Sequence, residues 1–385
     1  MKILETIGKN DSDNMSVDDF LAKLDDLLVE NTTPANGERY SIYCSVGRTR
    51  EEAEQGRIRM RTQIQDILET ASVSETVEKS LRDVLKLTRA DESNQDFWNH
   101  QQDGLAVFVD SDSCRKISMS CDIDPTWSKS RYWHLAPLLQ CAANAGAYWL
   151  LHLSQKSVNL YHGSHFGFSQ ISVPGLPKSF DESKAGLRNI TGDDPTTEPL
   201  PPNRNDLSRF FEEVNDSVVK VLSGSDLPLV IAGVDHYLPL YETVNTYRNL
   251  FSESIKGTPE FLDNEEMNEM ALSLLEDEFN RSQDEQFERI ADLAESGKSV
   301  SGLKDVLCMA AQGRVKNLIA PCNETLWGTY NMENSEITEL PAADIESRDL
   351  FQLAAEETLL HGGRIYFAPL KDMPNEAGIC AELRY

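Results

Sequence analysis

Three short clusters bring side chains able to do chemistry close together in this sequence. His162 and His165 stand three apart, with Gly163 and Ser164 between them. On a helix that spacing would put both imidazoles on one face, where they could share a metal ion or an anion. Gly163, Gly167 and the strand-like residues around them favour a turn, so exposed loop histidines are the plainer reading and no metal site is expected. Asp235, His236 and Tyr237 follow the apolar run Leu227 to Val234. They would stand at the carboxyl end of a buried strand, the edge where open α/β sheets hold ligands. The competing reading is a helix start, with Asp235 capping backbone NH groups, Tyr241 packed behind it, and Asn245 and Arg248 on the polar face. His361, Gly362, Gly363 and Arg364 join a helix end to a strand. His361 and Arg364 are candidates for phosphate contact on RNA, although ending a helix is the commoner task of two glycines.

Arg48, Arg50, Arg57, Arg59 and Arg61 form the concentrated arginine group of the chain, interspersed with Glu51, Glu52 and Glu54. A solvated helix laced with ion pairs accounts for this pattern, and a phosphate-facing patch of Arg57, Arg59 and Arg61 is the functional alternative. The seven cysteines, Cys44, Cys114, Cys121, Cys141, Cys308, Cys322 and Cys380, include no CxxC pair. Reduced thiols acting as small hydrophobes are expected, with Cys114 and Cys121 close enough in sequence to meet across a hairpin. The sequence has no GxSxG elbow, HExxH helix, P-loop or glycine-rich dinucleotide loop, and no cofactor is expected. His152 fits an alternating strand and reads as structural.

The elements that must position these groups alternate between helical and strand periods. Helices are predicted over 17–30 with Ser16 as cap, 50–71, 75–89, 207–223, 265–278, 280–296, 303–312 and 347–360. Strands are predicted over 40–46, 104–109, 115–120, 147–153, 157–161, 167–173, 227–234, 315–321, 364–368 and 378–383, the last two as a pair. Pro137, Leu138 and Leu139 read as a junction after a first domain ending near Trp133. Residues 174–206 hold six prolines and form the longest irregular stretch, within a candidate functional loop over 163–206. Strand, helix and strand over 227–251 and beyond argue for a crossover unit.

At 385 residues the chain is long enough for several cores, and the alternation predicts an α/β fold of three consecutive domains, about 1–135, 136–255 and 256–385. The 64 acidic residues outnumber the 36 basic ones, giving a formal charge of -28. Such a surface repels nucleic-acid backbones, so binding to duplex DNA is not expected, while a local basic patch can still engage RNA. Apolar runs are short and the N-terminus is soon acidic, so neither a membrane span nor a secretory signal is expected and the compartment is the cytoplasm.

Five segments in order carry a family resemblance: GLAVFV at 104–109, LSQKSVNLYHGS at 153–164, LVIAGVDHYLPLYETVNTYRNLF at 229–251, AAQGRVKNLI at 310–319, and TLLHGGRIYFAP with ICAELRY at the end. Together they resemble the bacterial branch of the archaeo-eukaryotic peptide-release-factor superfamily, well over about 100–385 and more loosely before it. The resemblance implies an N-terminal α/β domain, a middle α/β domain, and a C-terminal domain like those of kink-turn RNA-binding ribosomal proteins. It implies a role in translation termination, ribosome rescue or ribosome modulation, with the ribosome, ribosomal proteins or tRNA-linked complexes as partners. The superfamily's peptide release uses a Gly-Gly-Gln motif in an exposed middle-domain loop, which here corresponds to 163–206. No Gly-Gly-Gln occurs anywhere in the chain, whose one Gly-Gly is Gly362–Gly363. A nonhydrolytic release-factor-like protein is therefore the leading expectation. The alternatives are a small-molecule enzyme working at the Asp235, His236 and Tyr237 edge, and an acidic module engaging basic proteins.

Overall fold

The computed structural model describes residues 17–183, 203–257, 263–293, 296–322, 324–332, 334–373 and 378–385. Ser16 and residues 184–202 of the predicted loop lie outside them. The chain divides into two compact units, one made of residues 1–144 with 280–385 and the other of 145–279. The reading from periodicity puts boundaries near 135 and 255.

The first unit begins with α1 (Val17–Glu30), which buries Phe20, Leu24, Leu27 and Leu28 on one stripe. After β1 (Arg39–Ser45) the chain enters α2 (Arg50–Thr70) through a capping box of Thr49 and Glu52. The helices α3 (Glu75–Leu87) and α4 (Glu92–Asn99) precede β2 (Gly104–Val109), β3 (Cys114–Met119), β4 (Thr126–Ser130) and α5 (Ala136–Ala143). The strands form one antiparallel sheet in the order β3-β2-β1-β4. Met60, Ile64 and Ile67 of α2 and Val77, Leu81 and Val84 of α3 pack on Leu105, Val107 and Val109. Each such side chain, fully withdrawn from water, contributes about 1.5–3 kcal/mol. Phe108, facing the opposite way, meets the rings of Tyr43 and Trp133 edge-on. Both faces of β2 are thus covered, which is why it reads as a continuous apolar run. Three elements here, α4, β4 and α5, went unpredicted. β4 (TWSKS) has a single large apolar residue, and Pro137 lies in the first turn of α5, where its missing NH costs nothing.

The second unit contains β5 (Tyr148–Leu153), β6 (Val158–Ser164), β7 (Gly167–Ile171), α6 (Arg204–Val221), β8 (Leu229–Gly233), α7 (Tyr237–Val244), β9 (Leu250–Lys256) and the first half of α8 (Asn264–Leu293). Its sheet runs β7-β6-β5-β8-β9, with β5, β8 and β9 parallel and the other pairs antiparallel. The helices α6 and α7 are the crossovers, as the strand–helix–strand pattern predicts. They pack Phe210, Phe211, Val214 and Tyr241 against Leu151, Leu153 and Ile231. Met267, Ala271 and Leu275 of α8 cover the opposite face at Leu150, Val230 and Ala232. Gly163 is demanded by this packing, because a Cβ there would clash with the ring of Tyr148 across the β5/β6 pair. The predicted helices 265–278 and 280–296 are one continuous α8, since no Gly or Pro separates them.

From Asn280 the chain belongs to the first unit again. After α8 come β10 (Ser299–Ser301), α9 (Leu303–Ala311), β11 (Val315–Pro321), β12 (Trp327–Asn331), β13 (Glu336–Glu339), β14 (Arg348–Asp349), α10 (Leu350–Leu360), β15 (Arg364–Ala368) and β16 (Cys380–Leu383). One sheet runs β10-β16-β11-β15 and a small one β13-β12-β14. The strands predicted to pair with each other, β15 and β16, flank β11 instead. β11 is the buried centre, parallel to β15 through the α10 crossover and antiparallel to β16. Gly313 ends α9 in the left-handed conformation, φ 67°, as its position predicts.

A buried polar seam joins the two stretches of the first unit. Asn31 donates to the Trp133 carbonyl (3.0 Å) and to Glu356 Oε1 (2.6 Å), and accepts from the Trp133 NH (2.6 Å). Gln352 Oε1 accepts from the NH groups of Leu135 and Ala136 at 2.6 and 3.0 Å. Arg348 pairs with Glu356, whose carboxyl is pushed above the usual range by burial and partly held back by that arginine. The cysteines depart from the all-reduced expectation. Cys121 and Cys141 are joined as a disulfide, and Cys114 is not Cys121's partner. Cys141 lies on α5, a helix that the apolar spacing around Pro137 does not reveal, so its approach to Cys121 is set by the tertiary fold.

Candidate functional site

Of the three arginines singled out on α2, Arg57 turns inward. It is 8% exposed, pairs with Glu54 and donates to the Thr88 carbonyl at the end of α3. At about 100° per residue, a side chain four positions after the buried Ala53 falls close to the apolar stripe. Arg59 and Arg61 point outward, and Arg59 also reaches the Ser45 carbonyl at 3.3 Å. Arg48 is tied to Asp103 at 3.0 Å. The helix therefore offers two of its three candidate arginines to a partner.

The turn after α10 gathers more positive charge than its sequence suggests. His361 is the C-cap residue, its Nδ1 2.8 Å from the Glu357 carbonyl oxygen. Gly362 takes φ 71°, and the NH groups of Gly362 and Gly363 bond back to Leu359 and Thr358 at 2.8 Å each. The glycines thus end the helix, and a Cβ at Gly363 would lie 2.6 Å from Thr358 Cγ2 and 3.1 Å from the Lys316 carbonyl oxygen. Arg364 then opens β15 opposite Asn317 of β11. Arg384 donates to the His361 carbonyl at 2.5 Å and to the Val315 carbonyl at 3.0 Å, and its own NH bonds to Arg314. Arg314 stacks its guanidinium 5.4 Å from the ring of Tyr385, which is 76% exposed. Arg314, Lys316, His361, Arg364 and Arg384 thus occupy adjoining positions where β11 and β15 begin and β16 ends. The C-terminal end of α10 adds a partial negative charge that favours cations there. Two carboxylates stand beside this group: Glu382, matched by Lys316 at 3.2 Å and Arg289 at 2.9 Å, and Glu357, 3.8 Å from His361 Nδ1.

The sequence pointed to His361 and Arg364 and missed Arg314, Lys316 and Arg384. For Arg314 and Arg384 the signal was a basic residue just outside an apolar strand, and Lys316 lies within β11, but only the strand order makes the three neighbours. Arg364 also lines an apolar cavity of about 600 Å³ with Leu24, Leu28, Leu139, Leu359 and Asp25.

In the second unit, Asp235 and His236 are exposed at the carboxyl end of β8, and Tyr237 is buried against Phe211. His236, not Asp235, is the N-cap residue of α7, and its side chain makes no capping bond. Arg248 pairs with Asp226. The three parallel strands end together here, with Leu153 beside Gly233 and Gly233 beside Lys256. Lys156 lies in the turn after Leu153, and the Lys178 carbonyl accepts from the Val158 NH at 2.9 Å, so three exposed lysines share this edge with His236. His162 stacks on Trp149 at 4.6 Å, within the β5/β6 pair. Among the described residues, no group of three or more His, Cys, Asp or Glu is placed to hold a metal ion. No helix among them is long and apolar enough to cross a membrane.

The chain is similar in structure to an archaeal translation termination factor, aRF1, at 14% identity over 96% of this chain and 98% of that one, TM-score 0.22. It is also similar to archaeal Pelota from a model of ribosome-bound Pelota and ABCE1 (10% identity, 96% and 94% coverage, TM-score 0.41). A third likeness is to S. cerevisiae Dom34, a translation termination-like factor (12% identity, 71% and 73% coverage, TM-score 0.37). Superpositions this loose bear on no residue's role. No curated protein matches the chain. Residues 147–314 match the family model described as Bacterial archaeo-eukaryotic release factor family 3, in the branch that the motifs resemble.

Proposed function

We propose that this protein is a release-factor-like factor that binds the ribosome and acts in termination, rescue or modulation without Gly-Gly-Gln-dependent peptide release. The observation that carries the proposal is the family match over residues 147–314 in a chain with no Gly-Gly-Gln. Peptide release in this superfamily needs that motif to position the attack on the ester, so its loss removes the chemistry and leaves binding. In this reading the chain works in three parts, near 1–135, 136–255 and 256–385, and the last contacts RNA as kink-turn-binding ribosomal proteins do.

Net charge opposes RNA contact, so contact must be local. The cationic group of Arg314, Lys316, His361, Arg364 and Arg384 supports such a contact better than α2 does. Its arginines can make paired hydrogen bonds to phosphate, and Tyr385 offers a face for a base. Arg59 and Arg61 form a secondary contact, with Arg57 acting through the fold.

The test is co-sedimentation of purified protein with ribosomes at low and moderate salt, paired with a peptidyl-tRNA hydrolysis assay. Binding without hydrolysis is expected. The triple variant Arg314→Gln, Arg364→Gln, Arg384→Gln weakens binding and reduces its salt dependence by up to about three in log–log slope. Failure to bind vacant, translating or stalled ribosomes overturns the proposal. The alternative is then a small-molecule enzyme at the Asp235 and His236 edge, or an acidic module that captures basic proteins.

A further inference from the structure

The disulfide Cys121–Cys141 closes a loop whose contents make it more than a local staple. Cys121 follows β3 and is half-buried, and Cys141 lies inside α5 at 3% exposure, with the two Cα atoms 6.1 Å apart. That separation suits a disulfide with no movement of the backbone, and it equally accommodates two thiols. Between the two cysteines run β4 and residues 130–136, which carry this side of the polar seam. The Arg131 NH bonds to the Ile345 carbonyl at 2.8 Å, the Arg131 guanidinium meets Glu346 at 3.1 Å, and Ser130 Oγ donates to the Ser347 carbonyl. Trp133, Leu135 and Ala136 hold Asn31 and Gln352, as described above.

We propose that Cys121 and Cys141 form a reversible redox clasp, oxidised by a small disulfide such as oxidised glutathione, that locks the seam-bearing segment 122–140 and thereby holds the two stretches of the first unit together.

Three of the other cysteines, Cys44, Cys114 and Cys380, are poorly suited to this role. Burial pushes the Cys44 thiol up to about 12 and those of Cys114 and Cys380 up to about 11, so little thiolate forms on any of them. Cys121, the more accessible member of the pair, attacks first. Its thiolate displaces one glutathione thiolate and forms a mixed disulfide. The Cys141 thiolate then attacks the Cys121 sulfur and releases the second glutathione. Two cysteine thiols and one oxidised glutathione become one protein disulfide and two reduced glutathiones, with two electrons passing to glutathione. A chain with one pair and five unpaired cysteines is built unlike a disulfide framework, where pairing is general. A single pair placed across a seam is suited to switching.

The test uses the full chain equilibrated with glutathione mixtures from fully reduced to fully oxidised, then alkylated and weighed intact. Seven cysteines alkylate at the reducing end and five at the oxidising end, with one midpoint, and peptide mapping places the loss at Cys121 and Cys141. Oxidation raises the melting temperature by roughly 5–10 °C, as expected for closing a loop of this size in a unit this large. It also slows hydrogen exchange at the NH groups of Arg131, Trp133 and Leu135. The variant Cys121→Ser, Cys141→Ser shows neither response, and because the redox titration is read on the natural chain, the result survives a variant that folds poorly. Seven alkylated cysteines at every ratio, oxidation of a different pair, or oxidation that leaves both melting and exchange at 130–136 unchanged would each overturn the clasp.

Discussion

Arg57 and Arg59 are two residues apart on one helix and do opposite work. Arg57 has a buried guanidinium whose partners, Glu54 and the Thr88 carbonyl, tie α2 to the end of α3. Arg57→Gln should lower the unfolding free energy by about 1–3 kcal/mol, since a buried donor set loses its charge-assisted bonds. Arg59→Gln and Arg61→Gln should each stay within about 0.5 kcal/mol of the natural protein. Urea denaturation of the single variants separates the two roles, and equal losses for all three would contradict the assignment. Carboxylates set the acid limit at the same scale. Burial works against the charged forms of Glu38 and Glu382, but hydrogen bonds from Lys129 and Ser74 to the first, and from Lys316, Asn317 and Arg289 to the second, hold both below the usual 4.5. A depressed carboxyl contributes stability that is present above 4.5 and lost as pH falls through its folded value. Thermal melts should therefore fall as pH drops below 4.5, and the fall should be smaller in Glu382→Gln. Glu356, raised by burial, acts in the opposite sense, with its contribution present at low pH and lost as pH rises through its folded value.

Among the elements, the close of α10 is where a structural and a binding role sit side by side. Gly362 holds φ 71° in open space, and Gly363 is hemmed in by Thr358 and the Lys316 carbonyl. Gly362→Ala should cost about 1 kcal/mol through backbone strain with no clash to relieve. Gly363→Ala should cost more and shift β15 against β11. If the glycines serve the helix end, Gly362→Ala lowers stability while ribosome co-sedimentation per folded molecule is unchanged. A binding loss beyond the loss of folded protein would give this turn a direct contact role. The long helix α8 illustrates a different point about elements. Its first half buries Met267, Ala271 and Leu275 in one core and its second half buries Ile290 in another. Leu275→Ala should cost about 2–5 kcal/mol in the second unit, read by calorimetry as a downward shift of that unit's transition.

At the scale of the molecule, the seam of Asn31, Trp133, Gln352 and Glu356 joins stretches more than two hundred residues apart in sequence. Its groups are satisfied by each other and by backbone, so removing one strands the rest away from water. Asn31→Ala and Gln352→Ala should each lower the stability of the first unit by about 1–3 kcal/mol. They share Glu356 and Trp133 as partners, so the double variant should lose less than the sum of the two. Additive losses would show that the two amides act independently.

Sequence by itself determined the alternation of helices and strands, because apolar spacing in α1, α2, α6 and β5, β6, β8 repeats the period of the element it forms. It determined the parallel crossover through α7 and the helix stop at Gly313 for the same local reasons. It also carried a family resemblance in five ordered motifs, of which those at 153–164 and 229–251 lie inside the matched segment 147–314, and it showed no Gly-Gly-Gln. Tertiary structure decided what local pattern cannot contain. Whether Arg57 faces in or out depends on Thr88 lying nearby, and whether β15 pairs with β16 depends on β11 lying between them. The cationic group at Arg314, Lys316, Arg364 and Arg384 and the Cys121–Cys141 bond exist because distant segments converge. Period is a property of neighbours along the chain, whereas strand order, burial of a charge and contact between thiols are set by which distant surfaces exclude water together.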